Sequence, residues 1–308
     1  MDDLPEYLKD APEWMKNAER EDRQRRLETQ QALKQEQLEK SNLNQAYVRG
    51  DIGYIEFCGP GPGAGVVADY STVGEDQTTC VYFKNLEKHV IAHIKGSEVV
   101  VGCVAWLTNE QILKALAQKR GVSLIVQKED FLRPDITSEN NWTSRLRQWY
   151  NKLPKTLDRR DFNTTILGDM GDRNIDQLID PVRCVGNYNA SRQSAFPRSH
   201  HKFVLFCKYI MNCGCKSCQD YKKTYLSGDD PFYRDKKRKD HIKPYAVWTG
   251  SFNFTKTAAL SFENAVVLQD AKIVQAYFQE YSQIAALSEP LDWTATWIAP
   301  QWTFQTYT

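Results

Sequence analysis

The sequence predicts an α/β fold with a mixed, largely parallel central sheet flanked by helices. One observation is the succession of helical and strand-like periodicities between residues 83 and 126, joined by short connections. Such alternation is typical of βαβ units, whose strands lie parallel in one sheet. Another is the 41% apolar content of a 308-residue chain, which is enough to bury one sizeable core. We therefore expect one main domain with appendages.

The first appendage is an N-terminal arm, residues 1–46, predicted to be helical or partly disordered. It is poor in large apolar groups and rich in Gln, Glu, Arg and Lys, and its composition from Glu13 to Lys40 favours helix. Its leucines do not keep a heptad register for long. Two interpretations stay open: a solvated arm, or a helix that binds a partner or dimerises.

The main domain, residues 47–290, is predicted to open with a strand at 53–57 and a loop at 58–65 that is dense in glycine and proline. Apolar residues then recur at helical spacing from 83 to 94. An apolar strand follows at 98–105. This is the first helix and strand of the predicted βαβ region.

A second helix and strand continue the alternation. Thr108 and Gln111 form a capping-box pattern at the start of a helix that Gly121 ends. Strands are predicted at 122–126 and, after a less regular region, at 182–185. These strands extend the sheet.

The most informative stretch begins at His200. His200 and Lys202 stand two apart at the start of an apolar run that reads as a strand. The strand period of two directs both side chains to the same face. One face of this strand is therefore predicted to carry a nucleophile and a cation.

Two further motifs follow at a distance. After a strand at 246–248, Gly250 and Ser251 offer a glycine that lets the backbone approach a ligand, and Asn253 presents an amide donor. Glu263 comes ten residues after Asn253, directly before Asn264 and an apolar run that predicts another strand. A helix of apolar positions from 273 to 281 then closes the domain.

In this order and at these separations, the three motifs resemble the second half of the motif of the phospholipase D superfamily. The turn Arg120-Gly121-Val122 is also similar to the opening of such domains. The family places an aspartate five residues after the lysine, where this chain has Cys207. The family shows two motif copies per active site, whereas this chain has one. The resemblance implies a phospholipase D-like fold.

The resemblance also implies a metal-independent phosphodiesterase that works through a covalent phosphohistidine and needs no catalytic cofactor. His200 would attack phosphorus, while Lys202 and Asn253 would hold the non-bridging oxygens as charge builds there. Glu263 would orient the imidazole, and Ser251 would support the phosphate or the carboxylate. Because a second histidine must protonate the leaving oxygen, we expect a homodimer in which His200 of a second copy supplies the acid.

The segment between the strand of His200 and Lys202 and the strand that leads to Gly250, residues 208–245, is a basic, Cys-rich insertion. Three cysteines within six residues favour a structural zinc site, with free thiols as the alternative. The candidate ligands are Cys213, Cys215 and Cys218, with Cys207 or His241 as the fourth. The insertion also holds ten Lys or Arg against five Asp, in a chain whose net charge is only +1.

This local positive charge predicts a surface that follows phosphates beside the active site, although a solvated loop is the alternative. The first functional hypothesis is therefore a nuclease acting on DNA or RNA. The alternatives are a phospholipid-acting phosphodiesterase or transferase, and a catalytically inactive nucleic-acid-binding module.

Composition also bears on location. No apolar run approaches the roughly 18 residues of a transmembrane helix, and the acidic start lacks the features of a signal peptide. We therefore expect a cytoplasmic protein without a membrane span. The aromatic C-terminal tail, residues 291–308, contains Trp293, Trp297 and Trp302 and is predicted to pack on the body of the domain.

Overall fold

The structure is a computed structural model that describes residues 8, 10–43, 70–135, 141–162, 165–170, 178–191, 196–211, 213 and 241–301. The predicted strand at 53–57 and loop at 58–65 lie outside these residues. The chain divides into two compact units, 1–67 and 68–308.

The first unit contains helix α1 (Glu13–Lys40). Most of its side chains are exposed, and ion pairs one turn apart link neighbouring side chains, such as Asp22 with Arg26 and Glu36 with Lys40. Pairs of this kind add a few tenths of a kcal/mol each. The helical part of the predicted arm is therefore present.

The second unit is built on a mixed sheet of eight strands within the described residues, flanked by helices as predicted. The strands are β1 (Thr72–Val73), β2 (Thr79–Tyr82), β3 (Val99–Val104), β4 (Gly121–Gln127), β5 (Val182–Val185), β6 (Lys202–Ile210), β7 (His241–Gly250) and β8 (Ala265–Leu268). Their order across the sheet is β1-β2-β8-β7-β6-β3-β4-β5. Strands β2, β3, β4, β5 and β7 run in one direction. The neighbours β3, β4 and β5 form parallel pairs, and the other pairs are antiparallel.

The predicted βαβ unit is confirmed. Helix α2 (Leu86–Gly96) leads into β3, and helix α3 (Glu110–Leu116) joins β3 to β4 in parallel register. The capping box at Thr108 is wrong by one residue. Asn109 caps α3, because its side-chain oxygen accepts hydrogen bonds from the backbone N–H groups of Gln111 and Ile112 at 2.9 and 3.2 Å.

Helices cover both faces of the sheet. Helices α2, α3 and α4 (Asn141–Tyr150) share one buried cluster with Val204 and Phe206 of β6; we call this the first face. Helices α5 (Ile166–Asp169) and α6 (Ala271–Ala286) share the other cluster, on the second face, with Phe203 and Leu205. Alternate side chains of β6 therefore enter two separate cores.

The strand directions bring several chain segments to one edge of the sheet. The carboxyl ends of β3, β4, β5 and β7 lie there together with the starts of β6 and β8. In open α/β sheets this is the edge at which ligands bind. None of the helices in the described ranges is long and apolar enough to cross a membrane.

Candidate active site

The predicted nucleophile and cation lie side by side at this edge. Lys202 is the first residue of β6, and its Nζ lies 3.0 Å from Nε2 and 3.1 Å from Nδ1 of His200. The same ammonium donates a hydrogen bond to the carbonyl of His200 at 3.1 Å. The ring of Trp106 stands edge-on to the imidazole at 6.1 Å between centroids. His200 itself remains exposed.

The electrostatic environment keeps this imidazole neutral. Although His200 is exposed, partial desolvation of its ring lowers its pKa below the usual 6.5, and the positive charges of Lys202 and Arg198 lower it further. Burial also lowers the pKa of Lys202, while the neighbouring carboxylate of Glu263 raises it in part. At neutral pH a lone pair on the imidazole is therefore available for attack.

We predict that Lys202→Met raises the pKa of His200. Removing the ammonium removes the repulsion that opposes the imidazolium, so the ring will bind a proton at a higher pH. In the unmodified protein the neutral, nucleophilic form persists below pH 6.5 and is lost as the pH falls through the lowered pKa. Titration of the histidine ring protons by NMR checks this, with Lys208→Met, at an exposed position further along β6, as the control. An unchanged or lower pKa of His200 in Lys202→Met would contradict the interpretation that the Lys202 ammonium lowers it.

The Gly-Ser motif lies at the end of β7, next to the start of β6, since Thr249 pairs with Phe203. A Cβ on Gly250 would lie 2.2 Å from the carbonyl oxygen of Asn264, so the glycine is required by the close approach of β8. The sequence predicts that Gly250 lets the backbone approach a ligand, and this is corrected here. The space beside Gly250 is filled by the protein's own backbone at Asn264. Ser251 completes the junction, because its Oγ accepts from the N–H of Asn264 at 3.1 Å and its own N–H donates to the Asn264 carbonyl at 3.1 Å.

The remaining predicted residues lie in the same junction. Asn253 has a buried side-chain oxygen that accepts no hydrogen bond from the described residues. This oxygen can be satisfied only by a donor, whereas the NH₂ group of the same amide is the part that can donate to a phosphate oxygen. Glu263 is half-buried and close enough to Lys202 to affect its pKa. The structure thus places His200, Lys202, Ser251, Asn253 and Glu263 at one edge of the sheet.

Sequence reasoning missed the residue that supports this histidine. Gln127 is buried at the end of β4, and its Oε1 accepts a hydrogen bond from the N–H of Ser199 at 2.7 Å. Its Nε2 donates to the carbonyl oxygens of Asn187 and Lys128 at 2.7 and 3.1 Å. Gln127 therefore holds both ends of the loop that leads to His200. A lone glutamine at a strand end gives no sequence signal for partners 60 or more residues away.

The proposed zinc ligands are only partly described. Cys207 is fully buried in the cluster on the second face, where burial strongly raises the pKa of its thiol. Cys213 follows β6, His241 begins β7, and Cys215 and Cys218 lie outside the described residues. Within the described part of the chain, no three His, Cys, Asp or Glu side chains are grouped to hold a metal. Burial in an apolar core makes Cys207 a poorer fourth ligand than His241.

Cys207, which stands where the resembled motif has an aspartate, lies far from this edge of the sheet. Five residues separate Cys207 from Lys202, which is about 17 Å along a strand. Cys207 pairs with Val99 at the opposite end of β3 from the site. This departure from the resembled motif therefore lies in the buried core, at the opposite end of the strand from Lys202.

No family model matches the sequence. Uncharacterized protein L381 of Acanthamoeba polyphaga mimivirus is 27% identical over 234 residues, covering 73% of this chain and 71% of the relative. Among solved structures, NucT from Helicobacter pylori is similar with a TM-score of 0.38 and 14% identity, over 68% of this chain and 96% of that one. Nuc from Salmonella typhimurium, a phospholipase D family member, is similar with a TM-score of 0.35 and 15% identity, over 68% and 95%. TrmBL2, an archaeal chromatin protein, is similar with a TM-score of 0.32 and 11% identity, over 90% and 68%.

Proposed function

We propose that this protein is a metal-independent phosphodiesterase, and specifically a nuclease that cleaves DNA or RNA through a covalent phosphohistidine. The observation that supports it most is the pairing of a neutral, exposed His200 with the Lys202 ammonium 3.0 Å away. An uncharged nitrogen can attack phosphorus, and a fixed cation beside it stabilises the charge that develops on the phosphoryl oxygens.

The reaction proceeds in two displacements. A ring nitrogen of His200 forms a bond to phosphorus, and the bond from phosphorus to the leaving oxygen breaks with its electron pair on that oxygen. Lys202 and Asn253 hold the non-bridging oxygens, and Glu263 stabilises the positive charge on the ring. Water then attacks phosphorus, and the phosphorus–nitrogen bond breaks with its electron pair returning to the ring of His200. The proton that water loses passes to the group that protonated the leaving oxygen, which restores both groups.

The leaving oxygen needs a proton from a separate group. His201 belongs to the second face of the sheet, where its ring packs edge-on against Phe203 at 5.6 Å. A second copy of the chain, related by a two-fold axis, would supply its own His200 as the acid without any new residue. We therefore propose a homodimer with the two exposed histidines facing each other.

The substrate class rests on charge. The insertion at 208–245 continues directly from the catalytic strand β6 and carries an excess of five positive charges. Such local charge favours binding of a polyanion. The test is incubation of the purified protein with labelled single- and double-stranded DNA and RNA, with EDTA present. Cleavage supports the proposal; cleavage of phospholipid alone would replace the substrate, and binding without cleavage of any phosphodiester would indicate an inactive module.

We predict that Gln127→Leu lowers kcat about 10- to 100-fold, because an active-site group displaced by about 1 Å can lose that much. The leucine removes the acceptor that holds Ser199 next to His200. Hydrolysis of bis(4-nitrophenyl) phosphate measures the effect, and KM should change little because no substrate contact is removed. Gln118→Leu, at an exposed position, is the control. A variant with normal kcat would show that the loop holds its shape without Gln127.

We predict that the insertion binds about one zinc per chain through Cys213, Cys215, Cys218 and a fourth ligand. Elemental analysis of the purified protein checks the content, and Cys213→Ser should lose the metal while Cys80→Ser, in β2, keeps it. Because this zinc is proposed as structural, its removal should lower the unfolding temperature before it affects cleavage. Protein without tightly bound metal would remove this proposal.

A further inference from the structure

The C-terminal strap, residues 293–299, crosses the same edge of the sheet and presents an exposed tryptophan. Trp293 is buried in the cluster on the first face, as the sequence predicted for the tail. Trp297 is not packed in this way, because 63% of its surface stays exposed. Ile298 beside it is 45% exposed. Folding gains little from an indole left in water, so a role in packing does not explain Trp297.

The backbone around Trp297 is nevertheless fixed. The buried Lys128 Nζ donates to the carbonyls of Ala295 and Trp297 at 2.9 and 2.6 Å. Glu289, which pairs with Lys128, accepts from the N–H of Ala299 at 2.9 Å. The backbone on both sides of the indole is therefore held by buried charged groups. A ring presented on a fixed backbone loses little conformational freedom when it binds a ligand.

The strap is connected to the catalytic histidine by a short series of contacts. The ring of Trp106 lies 6.1 Å from that of His200, and its Nε1 donates to Glu129 at 3.2 Å. Glu129 directly follows Lys128, which holds the Trp297 carbonyl. The strap thus lies beside the site at the carboxyl edge of β4.

The cationic groups of this path lie at its His200 end, where a phosphate would sit. Arg198 and Lys202 supply positive charge at His200. Of the acidic groups along the path, Glu289 is offset by its ion pair with Lys128, whereas Glu129 accepts only from the neutral indole N–H of Trp106. Asp130 likewise accepts from the hydroxyl of Tyr188, and Asp292 is exposed at the start of the strap.

We propose that Trp297 stacks on an unpaired base of a single-stranded nucleic acid whose phosphate lies at His200 and Lys202. This proposal rests on the proposed function and narrows its substrate to strands with accessible bases. An aromatic platform beside a cationic phosphate site is the combination by which proteins bind single strands without sequence preference. In a duplex the bases are already stacked on each other and cannot reach the indole.

The experiment measures oligonucleotide binding by the full chain carrying His200→Ala, so that nothing is cleaved. Trp297→Ala should weaken binding of a fluorescent oligothymidylate about 5- to 150-fold, the range expected for one lost stacking contact. Binding of an abasic oligonucleotide of the same length, which has the phosphates without the bases, should change less than about twofold. Trp297→Phe should restore most of the affinity, and Trp14→Ala, an exposed tryptophan of α1, should leave it unchanged.

Two results would overturn this proposal without contradicting the proposed nuclease activity. One is that the His200→Ala protein binds oligothymidylate equally well with and without the Trp297→Ala substitution. The other is that Trp297→Ala weakens binding of the abasic oligonucleotide as much as binding of oligothymidylate. That result would indicate a disturbed backbone instead of a lost stacking contact. Failure of every variant to bind any oligonucleotide would overturn the nucleic-acid substrate itself, and this proposal with it.

Discussion

Replacement of His200 by alanine is expected to reduce phosphodiester cleavage by at least about 10³-fold, because removal of a covalent nucleophile leaves only binding and electrostatic stabilisation. The side chain is exposed just before β6, so the two buried clusters do not depend on it. Thermal unfolding of His200→Ala should therefore match that of the parent protein. Hydrolysis of a labelled oligonucleotide and of bis(4-nitrophenyl) phosphate measures the loss.

His201→Ala is the matched control, since it removes the adjacent imidazole on the other face of the strand. Its ring contacts Phe203 and not the Lys202 ammonium, so activity should fall less than about threefold. Persistent cleavage in His200→Ala would remove the site assignment. Loss in His201→Ala alone would move the chemistry to the second face of the sheet.

The same variant tests whether two copies share one site. If each site uses His200 from both copies, a mixed dimer of parent and His200→Ala chains has no complete site. Adding excess His200→Ala chain to the parent protein, with time for exchange, should then lower the parent activity. Unchanged activity under these conditions, or full activity of a strict monomer, would contradict the dimer and direct the search for the acid to His201 and His241.

The features that sequence could predict here are those with a short-range pattern. The alternation of helices and strands fixed the βαβ unit, and the strand period of two placed His200 and Lys202 on one face. Both follow from local geometry that a few residues determine. The pairing of β3 with β6 and the order of the strands depend on contacts between distant segments, which no local pattern contains.

The motif correctly indicates that Gly250 is needed, but the reason inferred from the sequence is wrong. The sequence shows that a small residue is needed, but it does not show what approaches it. In the structure the approaching group is the carbonyl of Asn264, which is brought in by the pairing of β7 with β8. Gln127 shows the converse, since its partner Ser199 lies 72 residues away and only the folded chain brings them together.

The tryptophans of the C-terminal tail show the same limit of prediction from sequence. Trp293 and Trp297 are alike in sequence, yet one is buried and the other is 63% exposed. Both residues contact Lys128, whose ammonium lies 5.3 Å from the Trp293 ring centroid and donates to the backbone carbonyl of Trp297. A lysine at the end of an apolar strand is ordinarily expected at the surface. Its complete burial is visible only once Glu289 is placed opposite.

The second large effect is expected at this buried pair. Lys128 Nζ lies 2.5 Å from a carboxylate oxygen of Glu289, and the two side chains are 0% and 6% exposed. Glu289→Leu should lower the free energy of unfolding by about 3–5 kcal/mol, because it leaves an ammonium buried without its counter-charge. Denaturant unfolding measures this. Glu110→Ala is the control: it breaks the exposed pair with Lys114, and the loss should stay near 0.5 kcal/mol or less.

A double variant separates the cost of the unpaired charge from the worth of the pair. If the loss in Glu289→Leu comes from the stranded Lys128 ammonium, then adding Lys128→Met should recover much of it, because apolar replacements of a buried ion pair are often neutral. The recovery will be incomplete, since Lys128→Met also removes the donors to the carbonyls of Ala295 and Trp297. That remainder is the contribution of the strap. A double variant no more stable than Glu289→Leu would mean that the strap contacts, and not the buried charge, account for the effect.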